Sequence, residues 1–279
     1  MAWSKKDAMK NRILAGLLAA LLMVVCILAI PAPAASAQEA ATEETAAEPE
    51  TTETPEPTLP PVSTEKPTVP EISDPLPDVD IHSWEFTLCN SYNSRGWITC
   101  QRGNLEGIGI DERIQEAAAT LMADARAAGY SIYVARAYLN TEWLENMYLT
   151  TLWVCNYDPV LTARSFQGPG VSEHQTGLAI DFTDTIGHAA NYEYQFEDPE
   201  IFDSELYAWL MEHCADYGFI FRYPAEKAPW YGVSCPHAHF RYVGVEAAKF
   251  MVEHDLCLEE FISLYDPDAV YVPDNGRLA

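Results

Sequence analysis

The residues able to do chemistry fall in two short stretches. Ser172–Asp184 reads SEHQTGLAIDFTD and places His174 seven residues before Asp181. Pro236–Gly244 reads PHAHFRYVG and puts His237 and His239 two apart at the head of an apolar run. Zinc favours the nitrogen of neutral imidazole and accepts carboxylate oxygen; its catalytic sites use three protein ligands and leave a fourth position for water. His174, Asp181 and His239 supply two imidazoles and one carboxylate. Alternate residues of a strand point to one face, so an HxH pair on a strand aims both rings at one spot. Each residue alone is weak, because a lone histidine is more often a satisfied polar side chain and a lone aspartate more often a cap. Spacing alone leaves open whether the three hold a metal.

Six more residues stand out beside this set. Ser172 and Gln175 stand beside His174, either as substrate contacts or as simple turn residues. Arg241 lies two past His239, shares its face by alternation, and is placed to neutralise a carboxylate within the site. Trp230 and Tyr231 either line the cleft or pack. Arg136 closes the stretch YSIYVARA and is either functional or one half of a surface ion pair.

The elements that must position these groups are mixed helices and strands. Asp111 or a neighbour caps a helix running to about Ala128, with Ile114, Ala117, Ala118, Leu121 and Ala125 on one face; Gly129 stops it. Tyr130–Ala137 is a strand by its β-branched and aromatic content. Thr141–Val154 is a helix and Asn156–Gly170 a loop. Leu178–Phe182 is a strand with Asp181 near its end, and Gly177 lets the chain reverse before it. Ser204–Tyr217 is a helix stopped by Gly218, Phe219–Tyr223 a strand, and Pro224–Ser234 a loop. Ala238–Val243 is the strand bearing His239. Val245–His254 and Leu258–Leu264 are closing helices. Trp84–Cys100 reads as strands or a hairpin. Without regular βαβ alternation the expected class is α+β, a mainly antiparallel sheet with flanking helices.

The chain of 279 residues suffices for one sizeable domain with appendages. Residues 1–37 carry a basic start, an apolar run from Ile13 to Ile30 and the small-residue signature Ala35-Ser36-Ala37, the order of a secretory signal peptide; an uncleaved membrane anchor is the rival reading. Residues 38–80 hold nine prolines, twelve acids and one lysine, a composition that cannot bury enough apolar surface to order itself. They read as an extended linker, with the domain at 81–266 and a loose tail at 267–279. Without the leader, 12 basic against 41 acidic residues leave a net charge of −29, which disfavours nucleic acid. Six cysteines then remain. An even number in an oxidising compartment suggests disulfides, with Cys89–Cys100 the favoured local pair. A secreted or extracytoplasmic protein at the cell envelope is expected.

SEHQTGLAID and HFRYVG resemble the two signature segments of VanY-type D-alanyl-D-alanine carboxypeptidases. These belong to a zinc peptidase superfamily that also holds VanX dipeptidases, MepA-type endopeptidases and the Hedgehog domain. PGVSEHQTG, YGFIFRYP and LEEFI follow the same family in the same order, over roughly Ile108 to Tyr265. The resemblance implies that fold, with His174, Asp181 and His239 as Zn2+ ligands. It implies hydrolysis of the D-Ala-D-Ala end of a peptidoglycan stem peptide. It also implies that Arg136 stabilises the developing oxyanion, a task suited to a permanently charged fork of donors, although the usual Tyr-Arg-Ser is here Ala-Arg-Ala. One departure stands out. The family's general base is a glutamate three residues before the last histidine ligand, and Pro236 occupies that position. His237 is the replacement base, as in MepA-type relatives with HxH, since imidazole accepts a proton near neutral pH. His237 as a fourth ligand, closing the metal, is the rival, and a carboxylate from elsewhere such as Asp184 or Glu226 is another. The alternatives for the whole protein are a peptidoglycan endopeptidase and a non-catalytic zinc-stabilised module binding the wall or a partner.

Overall fold

Four short strands, each with apolar residues toward a helical layer, build the sheet that carries the candidate site. The computed structural model describes residues 67–96, 98, 100–185, 204–232 and 238–273. A separate hairpin pairs β1 (Arg102–Leu105) with β2 (Ile108–Asp111). The main sheet holds β3 (Tyr133–Arg136), β4 (Ala179–Thr183), β5 (Phe219–Phe221) and β6 (His239–Tyr242) in the order β3-β4-β6-β5, with every pair antiparallel. This is the α+β architecture expected.

Register sets what meets what. Asp181 of β4 stands opposite Arg136 on β3 and opposite His239 on β6. The β3–β4 ladder shifts register between Val134 and Arg136, which re-aims the end of β3, as bulges do. Ile180, Phe182 and Phe240 take the opposite face and pack with Ile114, Leu121, Leu206 and Leu210. Burying such side chains contributes about 1.5–3 kcal/mol each.

The helices follow from local chemistry. Asp111 accepts a hydrogen bond from the Arg113 N–H and starts a 3-10 turn that leads into α1 (Gln115–Ala127). α2 spans Thr141–Val154 and is capped by Asn140, which accepts from the Trp143 N–H. The segment 156–170, expected as loop, contains α3 (Pro159–Ser165): Asp158 accepts from the N–H groups of Val160 and Leu161, and Pro159 sits in the first turn, a favoured start. The remaining helices among the described residues are α4 (Glu205–His213), the single turn α5 (Ala228–Tyr231), α6 (Val245–Glu253) and α7 (Leu258–Tyr265). Trp230 and Tyr231 are buried and pack in the second core with Phe261 and Met251.

Three further expectations are corrected. Among its described residues Trp84–Cys100 contains no strand; a 3-10 turn at Trp84–Phe86 is followed by a loop organised by Asn90, whose Oδ1 accepts from the N–H groups of Tyr92 and Asn93. The linker and tail boundaries move outward. Val69, Ile72 and Val79 pack on the second core, Tyr265 donates its hydroxyl to the Pro77 carbonyl, and Val270 and Val272 are buried. Among the described residues the cysteines are free, including Cys89 and Cys100. The Cys89 thiol points at the carbonyls of Gly170 and Ser172 (3.4 and 3.3 Å), whereas Cys100 lies under Gly177. The expected leader, most of the expected linker, Cys235 and His237 lie outside the described residues. No helix among those described is long and apolar enough to cross a membrane.

Candidate metal centre

His174 arrives on a 3-10 turn, Glu173–Thr176, that ends at Gly177. That glycine adopts φ +70°, a left-handed conformation L residues disfavour, and a Cβ there would come within 2.5 Å of Cys100 Sγ and 2.9 Å of the Asp111 nitrogen. Both facts demand glycine, so the reversal between the two ligand candidates is written into the sequence. Asp181 then enters on β4 and His239 on β6.

The three side chains converge. Asp181 Oδ1 lies 2.8 Å from His239 Nδ1, and Asp181 Oδ2 lies 3.3 Å from His174 Nε2. The two imidazoles meet edge to face with centroids 4.8 Å apart. One potential ligand atom from each residue lies within 4.8 Å of the others, and all three residues are buried. Arg136 Nε sits 3.3 Å from Asp181 Oδ2 and is also buried.

The electrostatics suit a cation. Burial alone would raise the Asp181 carboxyl, but His174 and His239 hold it well below the usual carboxylate range. Burial lowers the His174 pKa despite the Asp181 charge, which favours the neutral imidazole a metal requires. His174 Nδ1 is buried without a hydrogen-bond partner among the described residues, an uncommon state for a polar atom. Two imidazoles and a carboxylate at this separation fit a zinc-type donor set.

The other candidates separate into roles. Gln175 Oε1 accepts from the Gly170 N–H at 2.6 Å and its Nε2 donates to Thr141 Oγ1 at 3.2 Å. It thereby ties the site turn to the preceding loop and to the start of α2. Ser172 is buried, and its backbone N–H donates to the Gly168 carbonyl. Arg241 does share the face of His239 and does neutralise a carboxylate, that of Glu173 (Nη1 to Oε1, 2.8 Å). Its remaining nitrogens are spent on the carbonyls of Glu85, Thr87 and Tyr242, and it is fully buried. A guanidinium so enclosed supports the site from behind instead of presenting donors to a ligand.

Sequence reasoning passed over Glu173, Arg222 and Glu259. Arg222 Nε donates to Glu173 Oε1 (2.8 Å), and its Nη1 and Nη2 bind the two oxygens of Glu259 (2.9 and 2.5 Å). All three are fully buried. The available signal was a charge inside an apolar element, as in FIFRYP and LEEFI, since buried charges occur almost only in pairs.

The VanY model, described as D-alanyl-D-alanine carboxypeptidase, matches residues 107–245. A D-alanyl-D-alanine carboxypeptidase of Enterococcus faecalis is 41% identical over 95 residues, 34% of this chain and 31% of that protein. The putative carboxypeptidase YodJ of Bacillus subtilis is 43% identical over 94 residues, 33% of this chain and 32% of its own. The match thus spans about a third of these curated relatives. Among solved structures, a mutant of the vancomycin resistance D,D-pentapeptidase VanY from a VanB-type cassette, in complex with Zn(II), is 31% identical with a TM-score of 0.53. That likeness covers 64% of this chain and 99% of the other. VanYB in complex with D-alanine-D-alanine is 30% identical with a TM-score of 0.55, over 65% of this chain and 98% of the other.

Proposed function

Because the chain belongs to the VanY family of D-alanyl-D-alanine carboxypeptidases, we propose that it is an exported zinc-dependent peptidase that hydrolyses the terminal D-Ala-D-Ala bond of peptidoglycan stem peptides. The observation that carries this reading is the row Arg136–Asp181–His239 across three strands, closed by His174.

His174, Asp181 and His239 would hold the zinc. Zinc, when bound, supplies a Lewis acid that acidifies a water and polarises the scissile carbonyl. Arg136, fixed at the end of β3 and against Asp181, presents a permanent positive charge where an oxyanion develops. His237, two residues before His239, takes the proton from the attacking water and returns it to the leaving amine. It replaces the glutamate that Pro236 displaces. Arg241 and Gln175 hold the surrounding backbone in place, and burial of the three ligands keeps bulk water from competing for them.

Export is supported by the order of basic, apolar and Ala-Ser-Ala segments in residues 1–37. The envelope is also where stem peptides are found.

The test is D-alanine release from a stem pentapeptide by the purified protein. Release that a chelator abolishes and zinc restores supports the reading. A folded, zinc-loaded protein that releases none overturns it; cleavage of cross-linked wall fragments would then favour an endopeptidase, and binding without cleavage a recognition module.

A further inference from the structure

We propose that Glu173 is a positioning residue for the metal centre: its carboxylate fixes the tautomer and ring orientation of His239, and Arg222 and Glu259 hold it for that task. The inference rests on the metal-binding reading above and deepens it.

The geometry divides Glu173 between two jobs. Its Oε1 accepts from Arg222 Nε and Arg241 Nη1, each at 2.8 Å. Its Oε2 faces His239 Nε2 at 3.3 Å. An ionised carboxylate only accepts hydrogen bonds, so the proton of a neutral His239 belongs on Nε2. The lone pair then lies on Nδ1, the nitrogen that stands 2.8 Å from Asp181 Oδ1. This is the outer partner that metal-ligating histidines commonly require, one that sets the tautomer and raises ligand basicity.

The rest of the network keeps Glu173 charged and still. Arg222 and Arg241 both donate to its Oε1 inside the fully buried core, so the carboxylate is paired twice over. Arg222 is itself clamped by both oxygens of Glu259 on α7, and Glu259 takes a further bond from Asn90 Nδ2 at 2.6 Å. The Arg222 N–H also donates to the His239 carbonyl at 3.0 Å, and the Tyr223 ring packs 5.0 Å from the His239 ring. Helix α7, which lies outside both signature segments, thereby helps to set a ligand's orientation. A plain core ion pair would have no use for the Oε2 contact.

Zinc affinity, measured by competition with a chromophoric chelator, tests this on wild type, Glu173→Gln, Glu259→Gln and the core truncation Leu121→Ala. We expect a 10–100-fold loss for Glu173→Gln, the usual scale for such partners, and a smaller loss for Glu259→Gln, which acts through Arg222. Leu121→Ala, which destabilises the fold away from the site, should leave affinity unchanged. Should Glu173→Gln fail to fold, long-range 1H–15N spectra of the zinc-loaded wild type decide: the His239 proton must be on Nε2. Equal zinc affinity in folded Glu173→Gln and wild type, or a proton on Nδ1, overturns the proposal while leaving the metal site standing. A wild type that takes up no zinc overturns both.

Discussion

Asp181 and His239 face each other in register across β4 and β6, with 2.8 Å between Oδ1 and Nδ1. One carboxylate thus serves two imidazoles, and the sheet ladder fixes their separation. Asp181→Ala should abolish zinc binding and D-alanine release together, with helical content unchanged by circular dichroism. Zinc uptake at wild-type affinity by this variant would show that the metal lies elsewhere.

Arg136 gives a different signature, because it touches a ligand without offering a ligand atom. Arg136→Ala should retain stoichiometric zinc and lower kcat by about 10²–10³, the usual scale for removing an oxyanion donor. Arg136→Lys should recover only part, since ammonium lacks the planar fork. Steady-state kinetics beside metal analysis checks this; an unchanged kcat in Arg136→Ala leaves Arg136 a purely structural partner of Asp181.

His237→Ala should retain zinc and lose turnover. In the wild type the acid limb of kcat/KM should follow an imidazole, as expected when the base is histidine in place of the glutamate that Pro236 excludes. A His237→Ala protein with full activity would assign the base to another group. Loss of zinc in that variant would make His237 a ligand instead.

Much of this site was legible in the sequence. His174, Asp181 and His239 are candidates because ligand chemistry needs those residue types; their spacing alone leaves the metal open, and the fold brings one ligand atom from each within 4.8 Å of the others. The helix Thr141–Val154 matched to the residue because Asn140 is a strong cap. What escaped depends on pairing at long range. Glu173 reads as a turn residue beside His174 until Arg222 and Arg241, 49 and 68 residues away, are brought to it. The hairpin was misplaced by a similar failure: Trp84–Cys100 has strand-like aromatics, but its carbonyls at Glu85 and Thr87 bond to Arg241 rather than to a neighbouring strand. Even cysteine count suggested bridges, whereas Cys89 and Cys100 lie on different sides of the site turn.

Those thiols should be inert in the native state. Burial pushes Cys89 and Cys214 up to about 12 and Cys100 up to about 11, and the thiolate is the reactive form. At pH 8 iodoacetamide should modify none of the three without denaturant and all three with it, as read by mass spectrometry without reductant. A Cys89–Cys100 bridge would instead block both under denaturing conditions. The sign for stability follows: the thiols' contribution is complete below their ordinary pKa of 9.0 and is lost as pH rises toward the folded values.

Arg222 is the most exacting position in the second core, since its guanidinium balances Glu173 and Glu259 with no access to water. Arg222→Met strands Glu259 and leaves Glu173 with Arg241 alone, and unpairing a buried charge costs about 3–5 kcal/mol. Combining it with Glu259→Leu removes one stranded charge and should recover part of that loss, but not all, because Glu173 keeps Arg241 alone. Chemical denaturation of the two variants measures the difference. The pH sense is set by Glu173: its carboxyl lies below its ordinary value of 4.5 when folded, so its contribution is present above that pH and fades as acid protonates the native state. Arg222→Met should therefore narrow the stability gap to wild type as the pH falls. A single variant as stable as wild type at neutral pH would mean that water or another donor reaches the two carboxylates when Arg222 is gone.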